Sequence, residues 1–254
     1  MTTKTWIIFG AIIAVLFGGL IYSSSKDSID VSNVNQDTIL AASEQSGNIG
    51  DLVYGSKTGK VLFVEYGDYQ CPGCASAYEP VKKVMSKYKD QVSFVFRNYP
   101  LPSIHPNAKA AAAAAETAGL MGKFWEMHDV IYKKQQDWQG ATPAERTDIF
   151  VSYAGEIGLD KDAFRKKMTD SAEQINKKIA FDVELGKKAG VSGTPTFFIN
   201  GKLVDQRIKD GKIAPANAGS NLPMAWGDAD ILDKEIIQPA LKKAGIPLPD
   251  EAKK

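Results

Sequence analysis

The chain has 254 residues, of which 44% are hydrophobic and 24% charged. That balance belongs to an ordinary globular protein and excludes wholesale disorder or a fibrous repeat. Lys and Arg number 31 against 30 Asp and Glu, a net charge of +1, so the basic excess expected of a nucleic-acid binder is missing. The two cysteines, Cys71 and Cys74, exclude a disulfide-stapled mini-protein and a four-cysteine zinc site within one chain.

Residues 1–25 read as a membrane anchor or a signal. No charged side chain occurs from Thr5 to Ser25, and Trp6 to Tyr22 is almost wholly apolar. Seventeen residues at the helical rise reach about 25 Å, the short end of a bilayer span. Trp6 and Tyr22 suit the two interfaces. The following Ser23-Ser24-Ser25 offers no Ala-x-Ala cleavage site, which favours an uncleaved anchor. Lys4 and Lys26 flank the span evenly and leave its orientation open. Residues 26–50, rich in Ser, Asn, Asp and Gln, read as a flexible tether with a short helix near Gln36 to Glu44. Gly50 to Thr58 is a poor phosphate loop, because its lysine is displaced and no strand precedes it.

From residue 51 the pattern is α/β. Val61 to Tyr66 is a short β-rich run ending at Gly67 and reads as a buried strand. Cys71-Pro72-Gly73-Cys74 follows, then Ala75 to Lys89 with apolar residues at helical spacing, then a second strand, Val92 to Asn98. Strand, helix, strand with this crossover predicts two parallel strands. A helical stretch covers about Ile104 to Ala189. Within it Thr142-Pro143-Ala144-Glu145 is a capping box with proline at the first helical position. Asp160 and Ser171 start two further helices, and the six alanines from Ala110 to Ala115 predict a tightly packed one. Gly193-Thr194-Pro195 leads into a strand, and Asn200-Gly201 between apolar runs predicts a hairpin. The segment 205–228, with an exposed-looking Met224-Ala225-Trp226, is longer than a plain link and is expected to border a substrate groove. A last helix, Ala229 to Lys243, ends at Gly245 with Pro247 beyond.

The chemistry rests on the cysteine pair. At a strand-to-helix junction the first thiol meets unsatisfied helix amides and the positive end of the helix dipole, which favour the thiolate. The second, in the first turn, is close enough for a short-loop disulfide that can open and re-form. Pro72 lacks an N–H and Gly73 a side chain, so they fix the turn and leave the first sulfur accessible. Two cysteines without a neighbouring histidine leave zinc undercoordinated, so half a metal site is the weaker alternative.

The sequence resembles the thioredoxin-fold oxidoreductases, specifically the membrane-anchored, extracytoplasmic DsbA-like disulfide-bond proteins of bacteria. The resemblance covers about residues 50 to 245. It is carried by Val64 to Cys74, by Arg97 to Ala108 and by the Val191 to Gly201 segment with its Thr194-Pro195 pair, with the helical stretch at about 103–190 as the family's insertion. It implies an α/β thioredoxin fold over 51–254, preceded by a single transmembrane helix. By position, Cys71 matches the accessible nucleophile and Cys74 its buried partner. Glu65 matches a buried carboxylate beneath the disulfide, where burial raises its pKa and fits it to exchange a proton with Cys74. Pro195 matches a cis-proline opposing the disulfide, with Thr194, Pro72 and Gly73 beside the substrate.

The implied activity is thiol–disulfide exchange that oxidises reduced exported proteins. It needs no cofactor beyond the Cys71–Cys74 disulfide and no metal, and a membrane partner of the quinone-linked DsbB type reoxidises it. The catalytic domain is expected outside the cytoplasm, where disulfides persist. Gly73 stands where Cys-Pro-His-Cys relatives carry a histidine, so a potential between about −120 mV (DsbA) and about −270 mV (thioredoxin) is expected. Reductase or isomerase action, or a Cys-ligated metallochaperone, are the alternatives. His105 is open between the site and a capping or core role, and His128, at helical spacing, is expected to be structural.

Overall fold

The computed structural model describes residues 29–205, 207–215 and 221–249. The apolar stretch from Trp6 to Tyr22 lies outside them. Among the described residues no helix is long and apolar enough to cross a membrane.

Two strands, β2 (Val61–Gly67) and β3 (Val92–Asn98), are buried along their whole length and run parallel, Val61 opposite Val92 and Gly67 opposite Asn98. Near-continuous apolar runs suit strands covered on both faces. Helix α1 (Pro72–Lys87) makes the crossover between them. β1 (Val53–Gly55) joins the far side of β3, while β4 (Thr196–Ile199) and β5 (Lys202–Val204) extend the sheet beyond β2, all antiparallel, in the order β1-β3-β2-β4-β5. The expected hairpin forms at Asn200-Gly201, with φ of 46° and 74°. Such a tight turn requires positive φ at both central residues, which Asn and Gly tolerate. The Asn200 side chain also accepts the Leu62 amide at 2.7 Å, stitching the turn to β2.

Side chains alternate across β2. Leu62, Val64 and Tyr66 face helix α7 (Ala172–Lys188). Val61 and Phe63 face α1 and the C-terminal helix formed by α8 (Ala229–Ile231), a π-helical turn (Leu232–Ile237) and α9 (Gln238–Lys243). The sequence pattern predicts a single regular helix here. Pro239 cannot donate to the turn before it, and the widened turn just upstream accommodates that loss.

The insertion comprises α2 (Ala108–Leu120), α3 (Phe124–Lys133), α4 (Gln135–Trp138), α5 (Pro143–Glu156) and α6 (Lys161–Asp170), followed by α7. The Thr142 capping box forms, and Asp160 caps α6. Ser171 precedes α7 without a side-chain cap bond. Ala111, Ala112, Ala114 and Ala115 are buried, so the alanine run brings α2 close to its neighbours.

Residues 29–50 differ from a free tether. They contain no regular element, and the helix expected near Gln36 to Glu44 is replaced by a strap on the domain. Arg97 reaches out to the carbonyls of Gln36 (2.7 Å) and Thr38 (2.9 Å), and Lys188 to those of Val31, Ser32 and Val34. Leu40 donates to the Asp51 carboxylate and accepts from the Asp51 amide. Backbone groups bound this way are not free to close helical turns. Gly201 matters to the strap as well, since a Cβ there would come within 2.5 Å of Asp37.

The segment 205–228 holds a two-stranded ribbon, β6 (Ile208–Lys209) and β7 (Lys212–Ile213). Met224-Ala225-Trp226 is not the exposed patch expected: Ala225 is fully buried and the Trp226 ring lies 5.6 Å from Phe197, anchored on the sheet by apolar contact.

Candidate active site

Cys71 is the N-cap residue of α1, extended at φ −69°, ψ 124°, with Pro72 at the first helical position. Pro72 loses nothing there, because the first helical amides lack intrahelical acceptors. The amides of Gly73 and Cys74 are near enough to the Cys71 sulfur to favour its thiolate. Hydrogen bonding from the Cys74 thiol, and then from Thr194 and those two amides, outweighs burial and lowers the Cys71 pKa to about 5. Cys74 behaves oppositely. It is fully buried, and burial first, then hydrogen bonding to Cys71 and the nearby Glu65 charge, raise its pKa well above the usual thiol value. Both are free thiols in this structure.

Thr194–Pro195 is a cis peptide that faces this helix start, and the Cys71 thiol donates to the Thr194 carbonyl at 3.3 Å. Gly73 explains the close approach: a Cβ there would lie 3.2 Å from Pro195 Cδ and 3.6 Å from Cys71 Sγ. A side chain there needs Pro195 to give by a few tenths of an ångström.

Glu65 is 3% exposed and sits between Phe96 of β3 and Phe197 of β4 in the sheet. The alternation of β2 puts it on the face under α1, toward Cys74. Its Oε1 has no hydrogen-bond partner among the described residues. Burial, reinforced by the Cys71 charge, raises its pKa to about 8. The structure therefore gathers Cys71, Cys74, Glu65, Thr194, Pro195, Pro72 and Gly73 around one helix start, on a buried strand in the case of Glu65.

Asp68 was not legible as a site residue. Its backbone amide donates to Cys74 Sγ at 3.5 Å. Its carboxylate accepts from the amides of Gln70 (2.7 Å) and Leu101 (2.8 Å) and meets His105 Nδ1 at 2.8 Å. His105 is thus joined to the cysteine loop through Asp68. The available signal was local: an Asp just past a strand commonly takes the amide two residues on. The insertion clamps the same loop. Gln135 Nε2 donates to the carbonyls of Tyr69 and Cys71, while Gln70 bonds to the Gln139 carbonyl and the Asn107 amide. No sequence signal marks these long-range amides. His128 is buried among Phe96, Tyr69, Trp125 and Tyr132.

A family model described as thioredoxin matches residues 47–214. Among curated relatives, 40% identity over 152 residues links the chain to a protein named Na(+)/H(+) antiporter NhaA 1 of Salinispora arenicola, and 34% to one of that name in Mycobacterium sp. (strain KMS). Each match takes 60% of this chain but only 22% and 24% of the relative, so the chain spans less than a quarter of their length. Among solved structures, BdbD from Bacillus subtilis aligns with a TM-score of 0.58 at 22% identity over 82% of this chain and all of that one. The thiol-disulfide exchange protein alpha-DsbA2 from Wolbachia pipientis aligns with a TM-score of 0.53 at 23% identity, over 63% of this chain and 81% of that one. These likenesses show the fold. By its fold and by the family model covering residues 47–214, the chain belongs to the thioredoxin family.

Proposed function

We propose that the chain is a thiol–disulfide oxidoreductase working through Cys71 and Cys74, in the direction that oxidises reduced exported proteins. The observation that carries this is geometric: Cys71 caps the start of α1 beside the cis Thr194–Pro195 peptide, its thiol 3.3 Å from the Thr194 carbonyl, with Cys74 and Glu65 buried behind it; a lowered Cys71 pKa and a raised Cys74 pKa agree with that placement. A stabilised Cys71 thiolate favours the reduced protein, which makes its disulfide an oxidant. Attack by a substrate thiolate on Cys71 breaks the disulfide and releases Cys74 as a thiolate. Glu65, protonated at neutral pH, supplies the proton that Cys74 takes up and becomes a carboxylate. A second substrate thiolate then attacks the substrate sulfur of the mixed disulfide, and Cys71 leaves as the stable thiolate. Two electrons pass to the enzyme, one proton moves within it from Glu65 to Cys74, and the substrate gains one disulfide. Thr194, Pro72 and Gly73 border the accessible sulfur, where an extended substrate segment would lie.

Gly73 stands where the most oxidising relatives carry a histidine, so the lowered Cys71 pKa is expected to go with a potential between those of thioredoxin and DsbA. The anchor at residues 1–25 would hold the domain outside the cytoplasm, where disulfides persist, with a quinone-linked membrane protein as reoxidant. The test is equilibration of the Cys71–Cys74 pair with glutathione, alongside oxidation of a reduced, unfolded protein. A potential between about −120 and −220 mV with disulfide formation supports the reading; a value well below −270 mV reverses the direction to reduction. The antiport named for the longer relatives is theirs.

A further inference from the structure

The carbonyl of Cys71 is the only polar handle on the peptide that joins it to Pro72, because the proline nitrogen carries no hydrogen. Two donors hold that carbonyl. One is the Ala75 amide at 3.1 Å, which closes the first turn of α1. The other is Gln135 Nε2 at 3.2 Å, which also donates to the Tyr69 carbonyl at 2.8 Å. Gln135 is 5% exposed and opens α4 of the insertion, so it reaches the cysteine loop from outside the sheet and its crossover helix. The Cys71 amide is held separately, by the Asp68 carbonyl at 3.1 Å. Cys71 is thus gripped on both sides of its α-carbon, in its extended conformation. The far end of the clamp is fixed as well. Asn107 Nδ2 donates to the carbonyls of Trp138, Gln139 and Ala141, and Gln70 Nε2 to that of Gln139, which ties the end of α4 back to the same loop.

We propose that Gln135 is a positioning residue for the exchange: by holding the Cys71 carbonyl it keeps the sulfur beside the amides of α1, and so sets how strongly the pair oxidises. The inference rests on the exchange reading of Cys71 and Cys74 given above. Gln135 bonds to neither sulfur and acts through the backbone alone. Without its Nε2, the Cys71–Pro72 peptide keeps only the Ala75 bond, and its tilt moves the sulfur relative to the Gly73 and Cys74 amides. The reduced form depends on those amides, because they favour a charged thiolate. The disulfide carries no charge and depends on them far less. Loss of the clamp therefore costs the reduced form more than the oxidised one, and the disulfide becomes a weaker oxidant. No bond to Gln135 forms or breaks in the cycle.

The test uses the full chain and three readouts: the equilibrium with glutathione, the pH midpoint of Cys71 alkylation, and the urea midpoint of the reduced protein. Gln135→Met keeps the side-chain length and removes the donor. Gln135→Glu donates only while its carboxyl is protonated. Trp138→Phe is the control within α4: it drops the indole bond to the Ile131 carbonyl, at 3.0 Å, and leaves the Cys71 carbonyl untouched. For Gln135→Met the glutathione equilibrium is expected to move roughly tenfold toward the disulfide, about 30 mV, with the alkylation midpoint rising in step. Gln135→Glu should match the parent at pH 5 and the methionine variant at pH 8, each compared at the same pH. Trp138→Phe should lower the urea midpoint and keep the parent's equilibrium. If Gln135→Met loses stability while its equilibrium and alkylation midpoint stay at the parent values, Gln135 only braces the fold and the proposal is overturned. An equal shift of the equilibrium in Trp138→Phe overturns it too. Where Gln135→Met does not fold, Gln135→Glu decides, and a variant that tracks the parent at both pH values refutes the clamp. If the parent itself does not exchange with glutathione, the exchange reading falls first and the positioning role falls with it.

Discussion

The amide of Asp68 donates to the sulfur of Cys74 at 3.5 Å, so the buried thiol is held by the backbone of the loop that leads into the cysteine pair. The Asp68 carboxylate meanwhile satisfies the amides of Gln70 and Leu101 and meets His105. Asp68→Ala removes these acceptors and leaves two amides without partners in a buried setting, each costing about 1–3 kcal/mol. Urea unfolding of the reduced protein is expected to show a loss of at least about 2 kcal/mol. A midpoint within error of the parent would refute the loop-holding role.

Cys71 alkylation follows its thiolate. With the pKa lowered to about 5, its reaction with iodoacetamide should rise through a midpoint near that pH, while Cys74 stays unreactive below pH 9 because its pKa is raised. For the reduced protein the sign follows: the folded value lies below the unfolded one. The stabilisation from Cys71 is therefore complete above about pH 9 and is lost as pH falls toward 5. A midpoint near 8.5 would mean that the helix start does not stabilise the thiolate.

Glu65 carries the opposite sign. Its folded pKa is raised from 4.5 to about 8, so ionisation adds no penalty below pH 4.5 and destabilises progressively as pH rises toward 8. At pH 7 the gap from 4.5 corresponds to about 3 kcal/mol. Glu65→Gln is therefore expected to stabilise the protein at pH 7 by up to that amount, to leave it unchanged at pH 4, and to slow exchange. Calorimetry at the two pH values checks it, and equal shifts at both would contradict a buried acid.

Arg97 bridges the strap to the core. It is fully buried, pairs with Asp51 at 2.8 Å, and holds two strap carbonyls. Arg97→Met leaves Asp51 with Lys178 as its remaining cation and the Leu40 amide as donor, and breaking such a buried pair costs about 3–5 kcal/mol. Limited proteolysis should then cleave within residues 29–50 under conditions where the parent resists.

The sequence pattern was informative where local chemistry decides the outcome. β-rich runs located β2 and β3, the Thr142 and Asp160 caps located α5 and α6, and Asn200-Gly201 located the hairpin. Glu65 stood out because a carboxylate inside an apolar strand is costly. What escaped was set by distant partners. Residues 29–50 are polar enough to read as a tether, yet Arg97 and Lys188, some sixty and one hundred and fifty residues away, bind their carbonyls. Asp68, Gln135 and Asn107 are ordinary polar residues whose value lies in what the fold places against them. Pro239 was visible, but not the widened turn that absorbs it.

The alanine run has a last consequence. A methyl group has no rotamers to lose, so settling Ala110 to Ala115 into place is nearly free of side-chain entropy. With nothing longer than a methyl along this stretch, its neighbours rest almost on bare backbone, and the interdigitation leaves little slack. α2 is in this sense inelastic: a bulkier substituent at the buried Ala111 or Ala115 has nowhere to swing and must push the neighbouring helices apart.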